Sequence, residues 1–278
     1  MNDGTAKDPS ADPAMPPEAA RYVAETARRA AAAERSKQKV WRDVSYGGAA
    51  HQLLDVFAPP DSQGSALPLF IYIHGGGWTH GNKGWMSFMA PAIAALPAIF
   101  VSPNYGLAPD HTHPTPIEDC LRALAFVRNQ AATYGADPDR VYIGGHSVGG
   151  HIAATIALRP DLRTAHGVPP GAIKACIPVS GLFRVLDTDP TAAKDHDEAS
   201  PMHWAAQADM PFYVSYGEKD YARIVEENCD FIAALGRTGI ALRVDELAGL
   251  DHYTANLCHG DTTSVWYRAV ADLLRQYP

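Results

Sequence analysis

Cysteine is scarce in this 278-residue sequence: Cys120, Cys176, Cys229 and Cys258 are widely spread and form no C-x-x-C pair. That spacing excludes a disulfide framework and a cysteine zinc site, and leaves reduced thiols inside or near a core as the expectation. Basic residues are in the minority, 23 Lys and Arg against 31 Asp and Glu, for a net charge of −8. A phosphate backbone needs clustered positive charge, so nucleic acid is excluded as a partner. No apolar run is long enough to span a bilayer, and the amino terminus lacks the short apolar segment of a secretory signal. A soluble, cytoplasmic protein without membrane contact is expected. The histidines show no H-E-x-x-H spacing, and His111-Thr112-His113 reads as a solvated turn, so no metal is expected. Gly75-Gly76-Gly77 lacks the lysine and helix entry of a phosphate loop, so no nucleotide or other cofactor is expected either.

What is present is a pentapeptide in a telling place. Gly145-His146-Ser147-Val148-Gly149 follows a short apolar strand, Arg140 to Gly144, and precedes an Ala-rich helical run ending at Leu158. A strand that turns sharply into a helix needs small residues at the turn, because a Cβ there collides with neighbouring backbone. Gly145 and Gly149 meet that need and leave Ser147 as the polar side chain at the apex, with a helix amino terminus behind it. A second motif lies upstream, where the strand Pro68 to Ile73 runs into His74-Gly75-Gly76-Gly77-Trp78. Consecutive glycines free backbone N–H groups to converge on one point. The amides of Gly76, Gly77 and Val148 are therefore the expected donors to an oxyanion formed when Ser147 attacks a carbonyl carbon.

These residues resemble the α/β-hydrolases, in the group holding hormone-sensitive-lipase-like esterases, feruloyl and acetyl-xylan esterases and kynurenine formamidases. The resemblance covers roughly residues 40–278 and extends to Pro103-Asn104-Tyr105-Gly106-Leu107-Ala108-Pro109, Pro116-Ile117-Glu118-Asp119-Cys120 and Asp137-Pro138-Asp139-Arg140-Val141. Gly106 stands where the family usually has arginine, and His146 where many lipase-like members have aspartate. The resemblance implies an α/β fold with a mostly parallel central sheet, helices on both faces and a small cap. Alternating apolar strands and helical runs agree with it. Strands are expected near residues 52–57, 69–73, 98–103, 141–144, 175–179, 211–216 and 242–247, and helices near 85–95, 115–135, 149–158, 222–235 and 263–276. Residues 1–16, rich in Pro, Asp and Ala, are expected to be a disordered tail. Residues 17–40 read as a helical arm, either packed on the body or capping the site, and 41–278 as the catalytic domain.

In this fold the acid and then the base follow the serine. The strand 211–216 leads into Gly217-Glu218-Lys219-Asp220, whose G-x-x-D pattern marks Asp220 as the acid, with Glu218 and Asp251 as competitors. The strand 242–247 leads to His252, the expected base, while His74 is expected to brace the glycine loop. About thirty residues separate the strand ending at Ser180 from that starting at Pro211, too few for a large lid. Trp78, His146 and Trp204 are the expected pocket residues, with Trp85, Phe183 and His203 nearby. The expected partner is a small or aromatic ester, or an N-formyl amide, since Ser200-Pro201-Met202-His203 resembles a formamidase stretch. A homo-oligomer is compatible with the sequence. A non-catalytic receptor of this fold, such as the plant gibberellin receptors, has lost the histidine that is present here.

Overall fold

Apolar side chains that alternate with period two let one strand feed two cores, and this sheet is built on that alternation. The computed structural model describes residues 15–191 and 193–277, so residues 1–14 of the expected tail lie outside it. The chain runs α1 (Pro17–Ala33), β1 (Lys39–Ser45), β2 (Leu53–Ala58), β3 (Leu67–Ile73), a 3₁₀ helix (Lys83–Met89), α2 (Ala90–Ala95), β4 (Ile99–Pro103), α3 (Thr115–Asn129) and α4 (Ala131–Tyr134). It continues β5 (Ala136–His146), α5 (Val148–Leu158), α6 (Pro160–Ala165), β6 (Ile173–Val179), α7 (His196–Ala199), α8 (Pro201–Trp204), β7 (Phe212–Gly217), α9 (Ala222–Gly236), β8 (Leu242–Leu247), α10 (His252–Leu257) and α11 (Val265–Gln276). The eight strands form one sheet in the order β1-β2-β4-β3-β5-β6-β7-β8, antiparallel at β1–β2 and β2–β4 and parallel elsewhere.

Leu69, Ile71, Val141, Ile143, Phe212 and Val214 face one core, against α3, α5 and α9. Phe70, Tyr72, Phe100, Tyr142 and Tyr213 face the other, which receives α1, the 3₁₀ helix, α2 and α11. The helices match. In α11 the buried residues Trp266, Ala269, Val270, Leu273 and Leu274 form one stripe. In α5 all residues are buried, because it lies between the sheet and neighbouring helices.

Four expectations change. No strand is expected over 39–45, whose first two residues are assigned to the helical arm, yet Lys39–Ser45 forms an edge strand. Its side chains are mostly exposed, so no alternation announces it. It is held by charge, since Asp55, buried on β2, pairs with Arg42 at 2.7 Å and Lys83 at 2.8 Å. The helix expected over 115–135 is two, and that over 85–95 begins as a 3₁₀ turn. Cys229 is exposed rather than near a core, although all four thiols are free.

The replacement at Gly106 has a structural counterpart. Asp119, fully buried, is met by His51 Nε2 at 2.8 Å, Gln52 Nε2 at 2.7 Å, Arg122 Nη1 at 3.2 Å and the Gly106 amide at 3.0 Å. A Cβ at Gly106 would lie 2.6 Å from His111 Cβ, so the chain here makes room for a histidine. Four donors on one buried carboxylate are what a charge removed from water requires.

Several histidines are buried. Burial holds His74 and His151 down to about 4 and His259 well below the ordinary value of 6.5. His259 stacks on Trp266 at 3.9 Å, and neither ring nitrogen has a hydrogen-bond partner among the described residues. Because these folded-state values lie below the unfolded ones, the unfolded chain binds more protons below pH 6.5. Their stability contribution is complete above that pH and is lost as pH falls toward 4. We expect a flat melting temperature between pH 7 and 8, a decline below 6.5, and a shallower decline in His259→Phe with less than ~1.5 kcal/mol lost at pH 7.5. A His259→Phe melt series as steep as wild type would rule this account out.

Candidate active site

Ser147 sits between the last residue of β5 and the first of α5 with φ 56° and ψ −121°, a conformation that L side chains adopt rarely. Its amide donates to Val179 O at 2.9 Å and its carbonyl accepts from His151 at 3.1 Å, which fixes the turn to β6 on one side and to the helix on the other. The flanking glycines are required by contact. A Cβ at Gly145 would lie 2.3 Å from Gly149 C, and one at Gly149 would lie 2.1 Å from Ile73 O. Val148 is the first residue of α5, so its N–H has no carbonyl inside the helix to bond.

The glycine loop crosses directly against this elbow. A Cβ at Gly75 would stand 3.1 Å from Ser147 Cβ. Gly76 and Gly77 have φ of 124° and 60°. The Gly76 carbonyl is turned away into bonds from Thr79 and His80 amides at 3.2 and 2.9 Å. His74 is buried, stacks on Tyr105 with centroids 4.3 Å apart and contacts Gly75 O through Nδ1 at 2.7 Å. Tyr105 in turn donates to His74 O at 3.0 Å, so His74 braces the loop.

Two further loops bring in an acid and a base. Asp220 follows β7, with its amide bonded to Gly217 O at 3.1 Å. His252 is the first residue of α10, whose start is fixed by a capping box between Asp251 and Thr254. The loops cross where a Cβ at Gly217 would lie 2.4 Å from Leu250 O. His252 Nδ1 is 2.8 Å from Asp220 Oδ1. Burial pushes the Asp220 carboxyl upward, but the His252 bond and charge, with the Tyr221 amide, hold it below its ordinary value. It is therefore ionised, and His252 carries its proton on Nδ1, leaving Nε2 free to accept one. The competing acids have other partners. Glu218 accepts from Gly249 N at 2.6 Å, and Asp251 accepts from Thr254 and Tyr253 amides at 2.8 and 3.1 Å.

Ser147, His146, His252 and Gly75 to Gly77 line one cavity of about 430 Å³. Its walls are Tyr22, Trp85, Leu182, Tyr221 and Tyr253, and Met15, Pro16, Ala19 and Val23 come from the amino-terminal segment. Met15 and Pro16, expected to end the tail, therefore border the site, and α1 forms one side of it. Tyr22 accepts from Asn256 Nδ2 at 2.7 Å and packs 5.2 Å from Tyr253, while Arg29 donates to Leu257 O at 2.7 Å. Arg223 also reaches the wall, with its guanidinium engaged by Asp189 at 2.8 Å and Glu227 at 2.7 Å.

Two expected pocket residues are elsewhere. Trp78 takes φ 61°, turns into the core at 5 % exposure and packs edge-on against His151 at 5.4 Å. Trp204 lies under the Arg159 guanidinium at 4.1 Å and donates to Glu198 O at 2.8 Å, with His203 beside it. Phe183 stacks on Phe231 at 3.8 Å inside the core. His146 and Trp85 do line the cavity. The missed walls Tyr221 and Tyr253 directly follow Asp220 and His252 in sequence, a position that was itself the signal. No group of metal-ligating side chains occurs among the described residues, and no described helix is long and apolar enough to cross a membrane.

Comparison with known proteins places this geometry in context. Residues 70–225 match the family model for the alpha/beta hydrolase fold. The chain is 32 % identical over 229 residues to esterase LipQ of Mycobacterium tuberculosis, covering 72 % of this chain and 53 % of that one. It is 40 % identical over 130 residues to carboxylesterase NlhH of the same organism, covering 46 % of this chain and 40 % of that one. The chain thus spans about half the length of the curated relatives it matches. Among solved structures, esterase B of Lactobacillus rhamnosis superposes with a TM-score of 0.74 at 19 % identity, over 91 % of this chain and 93 % of that one, a likeness of fold. An elbow at Ser147, a glycine loop against it and a parallel sheet that carries both are found together with a family match over more than half the sequence, and the chain belongs to the α/β-hydrolase fold family.

Proposed function

We propose that this chain is a serine-dependent carboxylic ester hydrolase acting on a small or aromatic uncharged ester. The observation that carries the reading is the 2.8 Å contact of Asp220 with His252 Nδ1, with His252 and Ser147 on the wall of one cavity. His252 Nε2 takes the Ser147 Oγ proton as Oγ bonds to the carbonyl carbon. The amides of Gly76, Gly77 and Val148 receive the resulting oxyanion. His252 then gives its proton to the leaving alcohol oxygen as the C–O bond breaks. Water, deprotonated by the same imidazole, releases the acid and restores Ser147. Aromatic walls and a wall arginine already neutralised by two carboxylates favour a substrate without net charge. The esterase names of LipQ and NlhH support the same reaction class.

The N-formyl amide alternative loses its particular support. Ser200 accepts from Val185 N and donates to His196 O, and Met202 N bonds Phe183 O, so the stretch from Ser200 to His203 ties a loop together outside the cavity.

A fluorophosphonate probe is expected to label wild type at Ser147 and not Ser147→Ala; folded wild type that stays unlabelled overturns the proposal. Turnover of p-nitrophenyl acetate and butyrate, assayed beside N-formylkynurenine, is expected for the esters, and His252→Ala should lower kcat by about 10⁴-fold with little change in melting temperature. Trp204→Ala should keep kcat/KM within about twofold, whereas Tyr253→Ala should raise KM by about tenfold, the equivalent of ~1.4 kcal/mol of lost aromatic contact. The opposite ranking in steady-state assays would return Trp204 to the pocket.

A further inference from the structure

His146 is not used by the hydrolytic steps above, yet it is placed between their two moving parts. It ends β5, directly before Ser147, and is 3 % exposed. Its Nε2 lies 2.8 Å from the main-chain carbonyl of His252, and the two rings are 4.6 Å apart. A carbonyl oxygen only accepts, so His146 Nε2 must carry the proton and donate. Burial and the neighbouring His252 push the His146 imidazole below its ordinary value, against the pull of Asp220 and the His252 carbonyl. It stays neutral, with Nδ1 bare. A cation at this place would oppose the positive charge that His252 acquires when it takes the serine proton.

The need for such a donor follows from how His252 is held. Its side chain is tied at Nδ1 to Asp220, on the loop after β7. Its backbone starts α10, a helix of only six residues, fixed at its cap by Asp251 and Thr254. Apart from His146, the bonds described at His252 tie it to the β7 loop and to its own helix, and the serine is on a third element. A transfer between Ser147 Oγ and His252 Nε2 depends on the separation of those elements to within fractions of an ångström. On the reading of this site as a serine hydrolase, we propose that His146 is a positioning residue that sets His252 against Ser147 by donating its Nε2–H to the His252 main-chain carbonyl. An ionised aspartate at this position has no proton to donate to a carbonyl, so the tie belongs to chains that carry a donor here. Glycine at position 75 is part of the arrangement, because a Cβ there would lie 3.0 Å from His146 O and 3.2 Å from its Nδ1.

The test compares His146→Leu, which keeps apolar volume and removes the donor, with His146→Gln, whose Nε2–H reaches nearly the same point. Steady-state kinetics on p-nitrophenyl butyrate, fluorophosphonate labelling and thermal melts are measured on each. His146→Leu is expected to lower kcat and the labelling rate by about 10- to 100-fold with KM within about threefold. His146→Gln is expected to recover kcat to within about fivefold of wild type. Should His146→Leu not fold, His146→Asn, whose amide stops short of the carbonyl, replaces it with the same expectation. The inference is overturned if His146→Leu keeps kcat within twofold, if Gln is as impaired as Leu, or if the loss is in KM, which would make His146 a substrate wall instead. Wild type that neither turns over nor labels sinks the hydrolase reading itself, whereas active wild type with an unaffected His146→Leu sinks only this inference.

Discussion

The close approach of backbone to backbone around Ser147 is the constraint on which the site depends. β5 reverses into α5 at a residue whose φ of 56° costs about 1–3 kcal/mol, and the reversal brings Gly149 against the end of β3 at a distance no Cβ tolerates. Burial decides the balance. Ile152, Ile156 and Leu158 are completely buried on α5, and each contributes about 1.5–3 kcal/mol, enough to outweigh the strain. The helix is thus pressed onto the sheet by its side chains, and the serine is held in its strained conformation on the cavity wall by that pressure. The same approach presents the Gly75 to Gly77 loop to the serine, because Gly75 has no side chain to hold the loop off.

Charge is arranged around this turn with equal economy. Asp220 has no exposed side-chain surface and depends on His252 for its ionised state, while His74, His146 and His151 are kept neutral by burial. Few neighbouring groups are left to compete with Asp220 for the His252 proton. Farther out, Glu227 accepts from the amides of Phe183 and Arg184 and from Arg223, and Arg223 also grips Asp189. That network fixes the segment carrying Leu182 to α9, so the far wall of the cavity is held by paired charges rather than by a free cation.

The amino-terminal arm and the aromatic walls mark where local pattern stops being informative. The apolar face of α1 at Tyr22 and Val23 is visible in sequence, and it is indeed the buried face. What it packs against was not legible. Its partners Trp85, Tyr253 and Asn256 come from segments far away in the chain, and only folding brings them together. The misplaced tryptophans have the same origin. Trp78 follows a loop known to be near the serine, but its positive φ turns the ring inward. Trp204 belongs to the short insertion beyond β6, yet Arg159 captures it on the outer side.

By itself the sequence determined the alternation of buried strands and helices, the elbow at Ser147, the glycine loop, and the order of Asp220 and His252. Each of these is a local pattern, with a period or spacing that backbone geometry imposes wherever the residues occur. The edge strand β1 escaped because charge pairs hold it and its faces are not alternately apolar. Only the tertiary structure decided that Asp220 rather than Glu218 or Asp251 meets His252, that α1 forms a wall of the cavity, and that His146 reaches the His252 carbonyl. These are contacts between segments distant in sequence, fixed by the crossing of loops and the packing of two cores, and no local pattern specifies a distance across the fold.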